Sequence, residues 1–302
     1  MLLDETLNGV LLVCAALLPA IVLCIYVFKK DSVEKEPILL LLCLLAAGCA
    51  ICYPAAEIES ALIKLFTKLF EPLGRKIGGK VYLSGYPLRL FKLCKYFIGV
   101  ALVEEGLKFV AMYFITFKNK NFNSLFDGLV YAVFVSLGFA AVENVLYVRQ
   151  YGWINALMRG LLSVPGHMFF GVMMGYYYSL WHMHKKAKGQ EQILKRAGHI
   201  DREEENFISW VYLAAALLVP VLVHGFYDFS CTDSSLLSII CFYALIVFLY
   251  IYCFSKIYNV SRFDMSDSMC AKALMLEKYP HLKEVVDGDL IKISEDADSK
   301  LP

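Results

Sequence analysis

Residues 101–114 read ALVEEGLKFVAMYF, a helix-length apolar run interrupted by Glu104, Glu105 and Lys108. Whether these charges sit in water or inside an apolar medium decides the fold. The rest of the chain answers: 59% of its 302 residues are hydrophobic, only 19% are charged, and mean hydropathy is +0.58. Soluble domains are about a quarter charged, so this chain has too little polar surface for a water-soluble globule. A formal net charge of +1 gives no field for gripping nucleic acid, so none is expected as a partner. The lipid bilayer is the expected surroundings.

About twenty apolar residues cross a bilayer core of roughly 30 Å. Seven windows of the sequence meet that length: Leu7 to Phe28, Ile38 to about Pro54, Phe97 to Phe117, Leu125 to Val148, about Leu161 to Trp181, Phe207 to Phe229 and Leu236 to Phe254. Met1 to Gly9 lacks Lys and Arg whereas Lys29 and Lys30 follow the first window, which argues against a cleavable signal peptide and for an outside N-terminus. With seven spans in that orientation the cytosolic segments hold eighteen Lys/Arg and the outer ones nine, eight of them between residues 55 and 96. The expected fold is therefore all-α: a polytopic membrane bundle of about seven helices over residues 1–255, followed by a polar cytosolic tail at 256–302. Between spans two and three, Ile58, Leu62, Leu65, Phe66, Leu69 and Phe70 recur at helical spacing and predict an amphipathic interfacial helix ending near Pro72. Residues 185–205 read as a solvated, partly helical loop. Most of the ten cysteines fall inside apolar runs without a paired CxxC, so they read as small hydrophobes.

The informative residues are the ionisable ones within the windows. Besides Glu104, Glu105 and Lys108 these are Glu143, His167, His224 and Asp228. Five unpaired charges in mid-membrane would cost roughly 12–18 kcal/mol on insertion scales, so they must be paired, neutralised or solvated in a cavity. Glu104 and Lys108 are four apart, as are His224 and Asp228, so each pair shares a helix face. In the seven-span topology Glu104, Glu105 and His167 lie roughly 12 Å below the outer surface and Glu143 and His224 roughly 8 Å below it, at 1.5 Å per residue. One layer of the outer leaflet thus collects three glutamates and two histidines. Asp127, Gly128, Asn144 and Arg159 read as boundary or capping features.

These residues resemble a known family. EEGLK fits the EExxK motif, FAAVE fits FxxxE with Phe139 and Glu143, and HGFYD fits HxxxD with His224 and Asp228, in order and each within a window. Together with DGLVYAVFVSLGFAAVENVLY and PGHMFFGVMMGYY, they resemble the PrsW family of bacterial intramembrane proteases over about residues 97–229. The wider group of CAAX prenyl endopeptidases and bacteriocin-immunity-type membrane proteases usually has His in place of Glu143 and Arg in place of Lys108. The resemblance implies a plasma-membrane enzyme performing site-1 cleavage of a single-pass anti-sigma factor. A downstream site-2 protease would follow, freeing an extracytoplasmic-function sigma factor under envelope or antimicrobial-peptide stress. It also implies that Glu104, Glu105 and His224 matter most.

Peptide hydrolysis needs a base for water and a group that stabilises the oxyanion. Glu104 or Glu105 fits the base role, with its neighbour held charged by Lys108, and His224, oriented by Asp228, fits the second role or that of a metal ligand. Glu143, His167 and His224 would make a three-ligand zinc site with an open position, although HExxH is absent. Both the metal-free and the zinc-dependent mechanism stay open. A proton- or cation-coupled transporter is the alternative from another class, because intramembrane Glu, Asp and His also build proton relays.

Overall fold

The computed structural model describes residues 2–31, 35–202 and 207–283. Its long helices follow the apolar windows: α1 (Leu2–Lys30), α2 (Ile38–Phe70), a π-helix (Cys94–Ala101) leading directly into α4 (Leu102–Thr116), α5 (Leu125–Leu161), α6 (Ser163–Arg196), α7 (Phe207–Thr232) and α8 (Leu236–Arg262). Between α2 and the π-helix lie a two-stranded antiparallel hairpin, β1 (Arg75–Ile77) and β2 (Lys80–Tyr82), and a short helix α3 (Gly85–Leu93). A shorter helix, α9 (Asp267–Lys278), follows α8. Among the described residues, five stretches are long and apolar enough to cross a membrane, one of them (Leu125–Arg196) containing both α5 and α6. The chain is an all-α, multi-pass membrane protein. The stretch around α4 falls outside those five; it carries Glu104, Glu105 and Lys108 in the middle of its apolar run.

Helices α5 and α6 form the centre. Phe126 to Ala140 are buried without a break, and so are Val164 to Gly175, whereas α1, α7 and α8 turn exposed leucines, isoleucines and phenylalanines outward. A helix apolar on all sides is enclosed by other helices, and one with an exposed apolar face meets lipid. Glycine brings the central helices together: a Cβ on Gly175 would lie 2.3 Å from the Gly128 carbonyl oxygen, and one on Gly138 would lie 2.1 Å from that of Leu45. Lipid gives helices no hydrophobic drive to associate, so close backbone approach through small residues does that work. Ser124 and Asp127 form a reciprocal capping box at the start of α5, as the boundary reading of Asp127 expected.

Two expectations change. The amphipathic stretch from Ile58 to Phe70 is not a separate interfacial helix; it is the end of α2, which runs through Pro54. Proline breaks helices less readily inside membrane bundles, where neighbours satisfy the freed backbone groups. At 33 residues α2 spans roughly 50 Å at 1.5 Å per residue, well beyond a 30 Å core. The 185–205 stretch is mostly helical because α6 continues to Arg196; residues 203–206 lie outside the described residues. The polar tail is partly folded: α8 runs past residue 255, and α9 packs on the end of α6 through Leu194, Ile200 and Met275, with the buried Glu191 accepting from Lys278 and Tyr279.

Gly175→Ala should strain the α5/α6 contact by about 1–3 kcal/mol, because the atoms in its way are backbone. Gly189→Ala, with open space around it, serves as control. Melting of the detergent-solubilised protein should drop for the first and not the second; equal curves would contradict the packing described.

Candidate active site

Four helices deliver the ionisable residues to one cluster. Glu104, Glu105 and Lys108 occupy the first turns of α4, just after the π-helix, and Phe97 of that π-helix sits against Gly225 of α7. A Cβ at Gly225 would lie 2.6 Å from the Phe97 ring, so glycine there lets α7 come close enough for the preceding His224 to reach α4. π-Helical turns are frequent at functional sites.

At the centre lies the Lys108 ammonium, fully buried. It donates to Glu104 Oε2 at 3.0 Å and Glu105 Oε1 at 2.9 Å, and its Nζ lies 3.1 Å from His167 Nδ1. An ammonium has three protons and no lone pair, so His167 Nδ1 accepts the third bond and the ring proton sits on Nε2. His167 Nε2 then donates to Glu143 Oε2 at 2.9 Å. The Phe139 ring lies under Lys108, with Nζ 4.2 Å from its centroid, which gives the FxxxE phenylalanine a cation–π role. On the other side His224 Nδ1 meets Glu105 Oε1 at 3.0 Å, and its ring stacks on Phe170 at 4.6 Å. Asp228, expected to orient His224, lies 3.6 Å from Nε2, too far for a hydrogen bond; Glu105 orients the ring instead.

A cavity of about 780 Å³ opens beside the cluster, lined by Glu104, Glu143, His167, His224 and Asp228, whereas Glu105 and Lys108 lie behind its wall. The adjacent glutamates are therefore not equivalent: Glu104 faces the cavity and Glu105 braces the interior. Glu59 and Arg159 also line it, and the sequence reading assigned neither to the site. Glu59 comes from the long continuation of α2 and could be found only once that helix is known to run past Pro54. Arg159, read as a boundary residue, ion-pairs with Glu143 at 2.9 Å; Asn144, read likewise, is fully buried and accepts from Arg159 Nε at 3.0 Å.

A metal is not accommodated by this arrangement. Among the described residues the one group of three donors within 4.8 Å of one another is Glu104, Glu105 and His167, rather than the Glu143, His167 and His224 set that the sequence suggests. The Lys108 ammonium already binds all three members of that group. Zinc at its usual distance of about 2.0–2.2 Å from those atoms would face a cation in the same place. In the other set, both ring nitrogens of His167 are already engaged, Nδ1 by Lys108 and Nε2 by Glu143, so it offers no lone pair to an ion. The buried, unpartnered Glu105 Oε2 is a single donor and makes no site.

A family model described as PrsW family intramembrane metalloprotease matches residues 36–254. The chain is 30% identical over 217 residues to Protease PrsW of Geobacillus kaustophilus, covering 72% of this chain and 78% of that protein. It is 30% identical over 224 residues to Protease PrsW of Bacillus subtilis, covering 74% and 84%. To Protease PrsW of Shouchella clausii it is 28% identical over 254 residues, covering 84% and 99%. No solved structure matches the chain.

Removing one partner of a buried ion cluster costs roughly 3–5 kcal/mol because the other charges stay buried and uncompensated. Lys108→Met should lower the melting temperature sharply, and adding Glu105→Gln to it should recover part of the loss. A double variant no more stable than Lys108→Met would contradict the charge balance described.

Proposed function

The chain belongs to the PrsW family of intramembrane proteases, and from that premise we propose that it makes the site-1 cut in a single-pass membrane anti-sigma factor. In this reading seven spans place the N-terminus and the catalytic layer on the outer side, as the Lys/Arg balance of the loops supports. A site-2 protease then acts on the product, and an extracytoplasmic-function sigma factor is released. The observation that carries the reading is a carboxylate, Glu104, held by a buried ammonium on one oxygen while its side chain faces a cavity large enough for an unwound peptide segment.

Glu104 takes a proton from water in the cavity, and the hydroxide attacks the scissile carbonyl. His224, protonated on both nitrogens between Glu105 and Asp228, donates from Nε2 to the developing oxyanion. The proton on Glu104 passes to the leaving amine. Lys108 holds Glu104 and Glu105 in register, and Glu143 and Asp228 line the cavity around the substrate. The reaction is thus glutamate-type, with the Lys108 ammonium between Glu104, Glu105 and His167.

Purified enzyme reconstituted with a tagged single-pass anti-sigma factor should lose roughly 10²–10⁴-fold in kcat on Glu104→Gln, the range for a general base. His224→Ala should lose about 10²–10³-fold, as for one oxyanion donor. Wild-type rates in both variants at matched folding would refute the assignment. Wild-type enzyme stripped with a zinc chelator should cleave undiminished. Full loss of activity restored by added zinc would contradict the metal-free mechanism.

A further inference from the structure

Arg159 reaches the catalytic layer by an unusual route. It bonds Asn144, fifteen residues earlier in what is nominally the same helix, at 3.0 Å. In a straight helix residues so separated stand roughly 22 Å apart. The chain must therefore reverse between them, and it does so at Gly152, whose φ of +76° and ψ of −161° are not helical and are open in practice only to glycine. The returning segment packs Ala156 with Ala16 and Val148, and brings Gly160 against Pro19 of α1. Its other face exposes Ile154 (81%), Leu157 (64%) and Leu161 (57%). An apolar face of this kind in a membrane protein meets lipid, while Arg159 on the inner side lines the cavity.

The polar contacts of Arg159 form one end of a continuous chain. Asn144 Nδ2 donates to the Ala16 carbonyl of α1 at 2.7 Å and its oxygen accepts from Arg159 Nε; Arg159 Nη2 lies 2.9 Å from Glu143 Oε2; the same oxygen accepts from His167 Nε2; and His167 Nδ1 accepts from Lys108. The guanidinium also lies 4.1 Å from the centroid of the Tyr147 ring. Glu143 Oε2 is thus fixed from two directions, by Arg159 and His167, and its position selects the His167 tautomer that leaves Nδ1 free for the ammonium.

We infer that Arg159 is a positioning residue of the catalytic layer, delivered by the reversal at Gly152, which orients Glu143 and through it the His167–Lys108–Glu104 relay. The inference deepens the protease reading and rests on it. It separates Arg159 from a bilayer anchor, which would hold the segment in place without affecting turnover, and from a substrate contact, which would act on KM. Lysine keeps a cation for Glu143 but lacks the rigid fork whose Nε and Nη2 meet Asn144 and Glu143 separately.

The test uses full-length enzyme co-reconstituted with a tagged single-pass anti-sigma factor in phosphatidylglycerol/phosphatidylethanolamine vesicles, comparing wild type, Glu104→Gln, Arg159→Ala and Arg159→Lys. Arg159→Ala should lose about 100-fold in kcat, the scale of a mispositioned catalytic group, with KM within about threefold. Ethylguanidinium at tens of millimolar should restore about tenfold by filling the truncated site from the cavity, and Arg159→Lys should fall between wild type and Arg159→Ala. An unchanged kcat, a loss confined to KM, or no rescue by either route overturns the inference. If Arg159→Ala does not accumulate, the kcat/KM split of Arg159→Lys decides in the same way. Wild type that leaves the substrate uncut refutes the protease reading; Arg159→Ala as active as wild type beside an inactive Glu104→Gln refutes only the role of Arg159.

Discussion

A buried ammonium must spend all three of its protons or carry a heavy desolvation penalty. Lys108 spends them on Glu104, Glu105 and His167, with the face of Phe139 beneath it. Much of the site follows from that requirement. Two carboxylates can sit side by side in an apolar bundle because one cation lies between them. His167 is locked in one tautomer, and Glu143 is turned toward it. The motif residues EExxK and FxxxE are thus parts of one electrostatic unit, with His224 joined to it through Glu105.

The scaffold serves closeness. Where side chains would hold helices apart, glycine removes them: Gly128 and Gly175 join α5 to α6, Gly138 joins α5 to α2, and Gly225 lets α7 accept Phe97. Each contact shortens the distance across which a short side chain such as Glu or His must reach. The long central helices α5 and α6, enclosed on all sides, then carry Glu143 and His167 at fixed heights relative to α4 and α7.

Much of this was legible in the sequence because the membrane makes polar residues conspicuous. The apolar windows anticipate the long helices, and the charges inside them converge as their common depth suggests. Three things were not legible, each for a physical reason. Pro54 looks like a helix end but is tolerated inside a bundle, which concealed Glu59 as a cavity residue. The i,i+4 spacing of His224 and Asp228 implies a shared face and not a bond, and a residue from another helix, Glu105, makes the bond instead. Arg159 sits at a span boundary by hydropathy, and only the backbone at Gly152 reveals that the chain doubles back to bring it inside.

The central claim is that an ammonium, not a metal, joins Glu104, Glu105 and His167. Its most direct measurement is an anomalous difference map at the zinc absorption edge, from crystals of active enzyme prepared with zinc present. A lysine-centred site predicts no peak within bonding distance of those three side chains, with the Lys108 Nζ density between them. A strong peak there, with Lys108 displaced from its partners, would contradict it.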